Sequence, residues 1–289
     1  MVCVPARNSL SELSKKWVVL IDNSREFPAL AFPFLESGEF EMMDTSPGLV
    51  SIAAILSLLF LCSRVVLTDF QNEDTLNEVL AREEVGLAIL YSATSGPSWQ
   101  EKDGWLTGDA CGPIPWYGIS CDKLSRKVTA IDLSENNLAG TLPGEIFPLF
   151  LSLRRFNLAF NALNSIIPST LFQLRSLEYV SLAFNQFDGT IPEIPGTLTI
   201  LEELDLSCNS LSGTLPSSLY SSRALLVLNL YQNLLTGSIN PLIDRLTNLR
   251  ELRLYANTLA GTIPSSLGNL TLLSVLELSV NRYGTALAL

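Results

Sequence analysis

The chain has 289 residues, 47% of them hydrophobic, with 29 acidic against 18 basic side chains and a formal net charge of −11. That balance leaves no basic surface for phosphate and excludes a nucleic-acid partner. There is no histidine, which removes Ser-His-Asp and Cys-His nucleophile systems, HExxH zinc sites and His-ligated metals, so no catalytic residue, metal site or cofactor is expected.

In chain order, residues 1–46 read as a disordered leader. It holds the apolar stretches "WVVLI" and "FPALAFPFL", but Pro28 and Pro33 interrupt any helix. Residues 47–68 read as a transmembrane signal anchor or signal peptide. Their centre, "GLVSIAAILSLLFLCSRVVL" over 48–67, carries one charge, Arg64. The run is long enough to span a bilayer if Arg64 snorkels and short if it stops there. Three readings stand: a signal-anchor helix, the apolar region of a cleaved signal peptide with translation starting at Met42 or Met43, and a buried core helix. No Lys or Arg lies between Phe27 and Gly48, so charge bias does not set an orientation.

Residues 69–127 predict an N-terminal cap. Thr75 and Glu78 have capping-box spacing, with Leu76, Val79 and Leu80 following, and the helical pattern runs to Thr94 before Gly96-Pro97 breaks it. Cys111 and Cys121 lie in the same segment as Trp99, Trp105 and Trp116. Free thiols, a metal pair and a disulfide are the options. Two cysteines without histidine make a poor zinc set, so a disulfide closing the end of the fold is expected. It implies an oxidising compartment.

Residues 128–289 contain seven copies of one pattern. The anchoring asparagines are Asn136, Asn161, Asn185, Asn209, Asn233, Asn257 and Asn281, spaced by 24 after a first gap of 25. A period in the twenties with L-x-x-L-x-L-x-x-N-x-L is the leucine-rich repeat signature. The fold class expected is α/β, a solenoid with a parallel concave sheet and a helical N-terminal cap. In "LEELDL", Leu201, Leu204 and Leu206 point inward and the residues between them point out, which makes a short strand. One such strand cannot bury its apolar face, whereas stacked copies can. The asparagine amide then satisfies turn groups that no ladder reaches, forming an internal column. The short segments after Pro143, Pro168, Pro192, Pro216 and Pro264 suit helical turns on the convex side. The seventh copy is cut short at "NRYGTALAL", without a polar end cap; a truncated product, or a partner covering that end, is expected.

The "LxGxIP" half of the repeat resembles the plant-type leucine-rich repeat family: receptor-like proteins, receptor-kinase ectodomains and polygalacturonase-inhibiting proteins. The cap is similar too, through "LAILYSATSGPSW", Trp105 and "CGPIPWYGISC", with a longer insert between Cys111 and Trp116. The resemblance covers residues from about 80 to 289. A membrane segment directly before such a cap resembles diatom and other algal membrane-anchored repeat proteins.

This resemblance implies a ligand face on the concave sheet. The candidates there are Arg155, Asn157, Phe160, Tyr179, Phe184, Glu203, Asp205, Tyr231, Arg253 and Tyr255. The pairs Phe160/Phe184 and Tyr231/Tyr255 fall on neighbouring strands, either as binding anchors or as rings that stabilise the ladder. Arg154, Arg155, Arg250 and Arg253 flank an acidic centre at Glu202, Glu203 and Asp205, which is either a charge-selective site or a solvated mixed surface. Cys208 occupies the slot of Phe160 and Phe184 and is expected to be an unpaired thiol. Asn269 opens an N-x-T glycosylation triplet. The function implied is non-catalytic and receptor-like: binding of a protein, peptide or glycan, with a co-receptor or kinase partner, on a membrane-anchored protein with extracellular repeats or on a secreted one. The alternatives are an ectodomain fragment of a receptor kinase, an inhibitor of secreted hydrolases and a cytosolic scaffold. A kinase domain itself is excluded here, because there is neither a Gly-rich phosphate loop nor, without histidine, an H-R-D loop.

Overall fold

The structure, a computed structural model, describes residues 17–19, 31–33 and 74–287. The chain divides into two units, Met1–Val66 and Leu67–Leu289. In the first, β1 (Trp17–Val19) and β2 (Ala31–Pro33) pair antiparallel, and both lie in the leader's apolar stretches. The membrane segment expected over 47–68 lies outside the described residues, as does the rest of the leader. No described helix is long and apolar enough to cross a membrane.

The second unit opens with α1 (Asp74–Ala93). The helix covers Thr75 and Glu78, the predicted capping pair. It stops short of Gly96-Pro97, as the breaker requires. The eight-stranded sheet follows: β3 (Ile119–Cys121), β4 (Val128–Asp132), β6 (Arg155–Asn157), β8 (Tyr179–Ser181), β9 (Glu203–Asp205), β11 (Val227–Asn229), β13 (Glu251–Arg253) and β15 (Val275–Glu277). β3 pairs antiparallel with β4; every later pairing is parallel.

Register follows the repeat. Ile131, Phe156, Val180, Leu204, Leu228, Leu252 and Leu276 lie opposite one another along the sheet. All but Leu276 are fully buried, and Leu133, Leu158, Leu182, Leu206, Leu230 and Leu254 form a second buried column. Burying one such side chain contributes about 1.5–3 kcal/mol, so the period is enforced by the core.

The asparagines form a hydrogen-bonded column. Asn233 accepts a hydrogen bond from the Leu211 amide (3.0 Å) and donates to the carbonyls of Leu206 (3.0 Å), Leu230 (3.2 Å) and Tyr231 (3.3 Å). It therefore closes its own turn and fastens it to the preceding repeat. Asn161, Asn185, Asn209 and Asn257 repeat this set.

Beyond the turn, short pairings β5 (Ala139–Gly140) with β7 (Ala162–Leu163), β10 (Ser212–Gly213) with β12 (Leu234–Leu235), and β14 (Ala260–Ile263) with β16 (Arg282–Leu287) line the return. The chain then enters 3-10 turns on the convex side after Pro143, Pro168, Pro216 and Pro264, each in extended conformation. In the fifth repeat Asn240 stands in for proline and caps the turn by accepting from the Leu242 amide at 2.9 Å. The third repeat, after Pro192, has no helical turn over residues 193–200.

The cap closes one end of this core. Cys111 and Cys121 are disulfide-bonded, with a Cα separation of 5.7 Å. Trp105 packs against Trp99, Trp116 and Tyr91 at centroid distances of 4.7, 5.2 and 5.7 Å. Each indole N–H of the three finds a carbonyl: Thr94, Tyr117 and Thr107 for Trp99, Trp105 and Trp116. Asn136, the first asparagine of the column, donates instead to Glu101 of the cap at 2.8 Å.

Candidate functional site

The strand residues between the core leucines form columns along the concave face, set by the parallel register. The residue before each asparagine is the most constrained. Glu135, Phe160, Phe184, Cys208, Gln232, Ala256 and Val280 all have φ between 51° and 57°, the left-handed region. Side chains there leave the sheet at one repeated angle, and that angle brings neighbouring rings face to face.

Phe160 and Phe184 stack with centroids 4.2 Å apart and planes 10° apart. Tyr231 and Tyr255, one position earlier in the pattern, stack at 4.6 Å and 7°. Phe184 meets Tyr231 edge to face at 6.5 Å. The four rings thus form one band across five repeats. Phe160 and Phe184 remain 51% and 38% exposed despite stacking, so the band stabilises the ladder and presents an apolar edge at once. Between the stacks, the Cys208 thiol donates to Gln232 Oε1 at 2.8 Å. Cys208 is half-buried and free, and burial pushes its thiol up from the ordinary value.

A polar network runs beside the band. Asp205 accepts from the Ser207 hydroxyl (2.6 Å) and from Asn229 (3.2 Å), and Asn229 accepts from Arg253 (3.2 Å). Arg253 also pairs with Glu251 and lies 3.5 Å from Glu277. Glu203 is half-buried. Burial, then the neighbouring Asp205, pushes its carboxyl up against the pull of Arg155. The Arg155 guanidinium lies over the Tyr179 ring at 4.3 Å, and burial pushes the Tyr179 hydroxyl up. An open concavity of about 480 Å³ is lined by Tyr255, Leu276, Glu277, Leu278 and Ser279.

The structure therefore gathers Phe160, Phe184, Tyr231 and Tyr255 into one band, and Asp205 and Arg253 into one network with Glu203 alongside. Arg155 and Tyr179 form a separate pair. Asn157 stands apart, bonded to Asp132 at 3.0 Å. Arg154 pairs with Glu178 at 3.2 Å. Two features escaped the sequence reading. Ser181, Ala183 and Ser207 point toward the concave side by alternation yet are buried under larger neighbours. Glu251 and Glu277 tie down Arg253, a pairing legible only once their columns are aligned. Asn269 is exposed at the end of a convex 3-10 turn, beyond the reach of this face. Among the described residues no three metal-ligating side chains converge.

A "Leucine rich repeat" family profile matches residues 126–187, and a second of the same description matches residues 201–222 and 248–270. With the sheet and asparagine column above, these matches make the protein a leucine-rich repeat solenoid. The curated relatives it resembles include plant receptor-like kinases and receptor-like proteins. It is 38% identical over 91 residues to receptor-like protein kinase 7 of Arabidopsis thaliana, covering 32% of this chain and 9% of that protein. Among solved structures it is similar to a PEPR1–AtPEP1 complex (TM-score 0.62, 33% identity, 71% of this chain and 29% of that one). It is also similar to the Arabidopsis receptor kinase HAESA in complex with the peptide hormone IDA and the co-receptor SERK1 (TM-score 0.50, 29% identity, 71% and 42%). The chain thus spans less than half the length of each of these relatives.

Proposed function

We propose that this chain is a non-catalytic, receptor-like recognition module that binds an extended peptide or protein segment along its concave face, with a co-receptor or kinase partner completing the assembly. The observation that carries this reading is the aromatic band Phe160–Phe184–Tyr231–Tyr255 running beside the Asp205–Asn229–Arg253 network. Rigid aromatic anchors next to ordered polar groups are what an interface hot spot requires. An extended segment laid across five repeats would meet apolar edges on one side and fixed donors and acceptors on the other. The likeness to a receptor crystallised with a peptide hormone and a co-receptor supports the same reading.

The disulfide of the cap supports placing the repeats outside the cytosol, on a protein anchored through residues 47–68 or secreted after their removal. There the exposed Asn269 is available to N-glycosylation, on the side away from the concave face. Photo-crosslinking tests the site. A photoreactive phenylalanine analogue at Phe184 or Tyr255 of the full chain should capture a partner in its native extract, and the same group at the convex Asn248 should not. Equal capture from both faces would sink the reading. Protease protection of N- and C-terminal tags on intact cells tests the topology: the C-terminal tag should be digested from outside.

A further inference from the structure

The cap carries a group that ligand recognition does not use. Glu83 lies on the inner side of α1, 2% exposed, with the fully buried Leu87 and Leu90 one and two turns along. Its Oε2 accepts a hydrogen bond of 2.9 Å from the amide of Val128, the first residue of β4. Its neighbour Glu84 accepts from the Ala110 amide, beside Cys111, at 3.1 Å. Two successive carboxylates thus fasten α1 to the first repeat strand and to the disulfide loop. Among the described residues, Glu83 takes part in no ion pair.

We propose that Glu83 is a proton-operated latch: protonated, it holds α1 on the first repeat strand, and its ionisation loosens that hold. A carboxyl oxygen accepts the Val128 hydrogen bond in either state, so the bond alone does not discriminate. What discriminates is a buried negative charge with a single donor and no paired cation, which costs far more than the neutral acid. The surrounding charges do not compensate it. Lys127, before β4, is the basic side chain whose field reaches it. In the β3–β4 turn, Arg126 is paired with Asp109, and Asp122 is held by Ser125 and Leu124. On α1 itself Arg82 and Glu84 are its chain neighbours, with Glu84 engaged with Ala110, and the 3-10 turn Gly144–Leu149 packed against α1 brings only another acid, Glu145.

Burial pushes Glu83 from 4.5 up to about 7, against the pull of the Val128 bond and of Lys127. An acid whose folded value is raised binds extra protons when folded. Its contribution is therefore fully present below the ordinary carboxylate value and is lost as pH rises through about 7. The cap is tight in acid and loosens toward neutrality, and the first-repeat core under α1 is what it uncovers. This inference does not depend on what the concave face binds.

Hydrogen exchange of the full chain in detergent, followed by mass spectrometry from pH 5 to 8 and corrected for intrinsic rates, tests it. The opening constant of α1 should rise across that range, by up to about 70-fold, while the fourth and fifth repeats stay unchanged. Glu83→Gln should make the cap insensitive to pH. Lys127→Met leaves a half-exposed position free of charge, keeps the latch and should shift the transition to higher pH. A wild-type cap that opens equally at pH 5 and 8, a pH dependence that survives Glu83→Gln, or a transition unmoved by Lys127→Met would each overturn the latch.

Discussion

Phe184 and Tyr231 meet edge to face at 6.5 Å, across the intervening repeat that contributes Cys208. That contact joins two separate stacks into one band, so the rings should be energetically coupled although their repeats are not adjacent. Aromatic pairs of this kind contribute about 0.5–1.5 kcal/mol beyond their burial. In urea unfolding, the cycle Phe184→Ala, Tyr231→Ala and the double variant should give a coupling of about 0.5 kcal/mol or more. Strict additivity would mean that the rings act independently and that the band is two separate pairs.

Asn233 should dominate the local stability of its repeat. It is 6% exposed and satisfies the Leu211 amide, which no other group reaches, while adding a second donor to three carbonyls that also accept from Asn209, Asn257 and the Cys208 amide. Leaving a buried backbone group unpaired costs about 1–3 kcal/mol, so Asn233→Ala, which orphans the Leu211 amide, should lower unfolding stability by about 1–3 kcal/mol. Asn233→Asp should be at least as damaging, because a carboxylate accepts from Leu211 but sets a buried negative charge against the carbonyl oxygens of Leu206, Leu230 and Tyr231. A cost below 1 kcal/mol in denaturant titration would show that water replaces the amide.

The period and its alternation made the strands, the buried columns and the asparagine ladder legible in the sequence, because each depends on residue type at a fixed spacing. The aromatic pairs were legible for the same reason. What the period does not carry is angle. Nothing in the letters Phe160, Cys208 or Val280 marks a left-handed backbone, since all seven residues in that column are types that rarely adopt it. The fold imposes it, because the asparagine that follows must turn inward to its carbonyls. Burial within the face was equally hidden: Ser207 is read as outward by alternation, but its hydroxyl is folded down onto Asp205. Glu83 gave no signal either, since "REEVGL" reads as an ordinary solvated turn of helix until β4 is packed against it.

Gly237 is fixed by its neighbour as well as by its φ of +78°. A Cβ built there would lie 2.8 Å from Thr214 Cγ2 of the preceding repeat. Gly237→Ala should therefore cost about 1–2 kcal/mol for the left-handed backbone alone, and more for the methyl clash. Thr214→Ser removes that methyl. The double variant should recover part of the loss in thermal unfolding, and the remainder measures the backbone. No recovery would place the whole cost in φ.

Cys208 should be a slow thiol in the folded protein. Burial raises its pKa above the ordinary 9.0, and its proton is engaged by Gln232 at 2.8 Å. The thiolate is the reacting form, so its fraction at pH 8 is smaller in the folded chain than in the unfolded one. Alkylation of Cys208 by iodoacetamide, followed on its own tryptic peptide, should be at least about tenfold slower at pH 8 than in urea. The folded rate should still be climbing above pH 9, where that of the unfolded thiol levels off. Gln232→Ala should speed the folded reaction by freeing the proton and opening the site between the two aromatic stacks. A folded rate equal to the unfolded one would mean that the Gln232 contact and the neighbouring rings do not shield the sulfur, and the band would then be open at its centre.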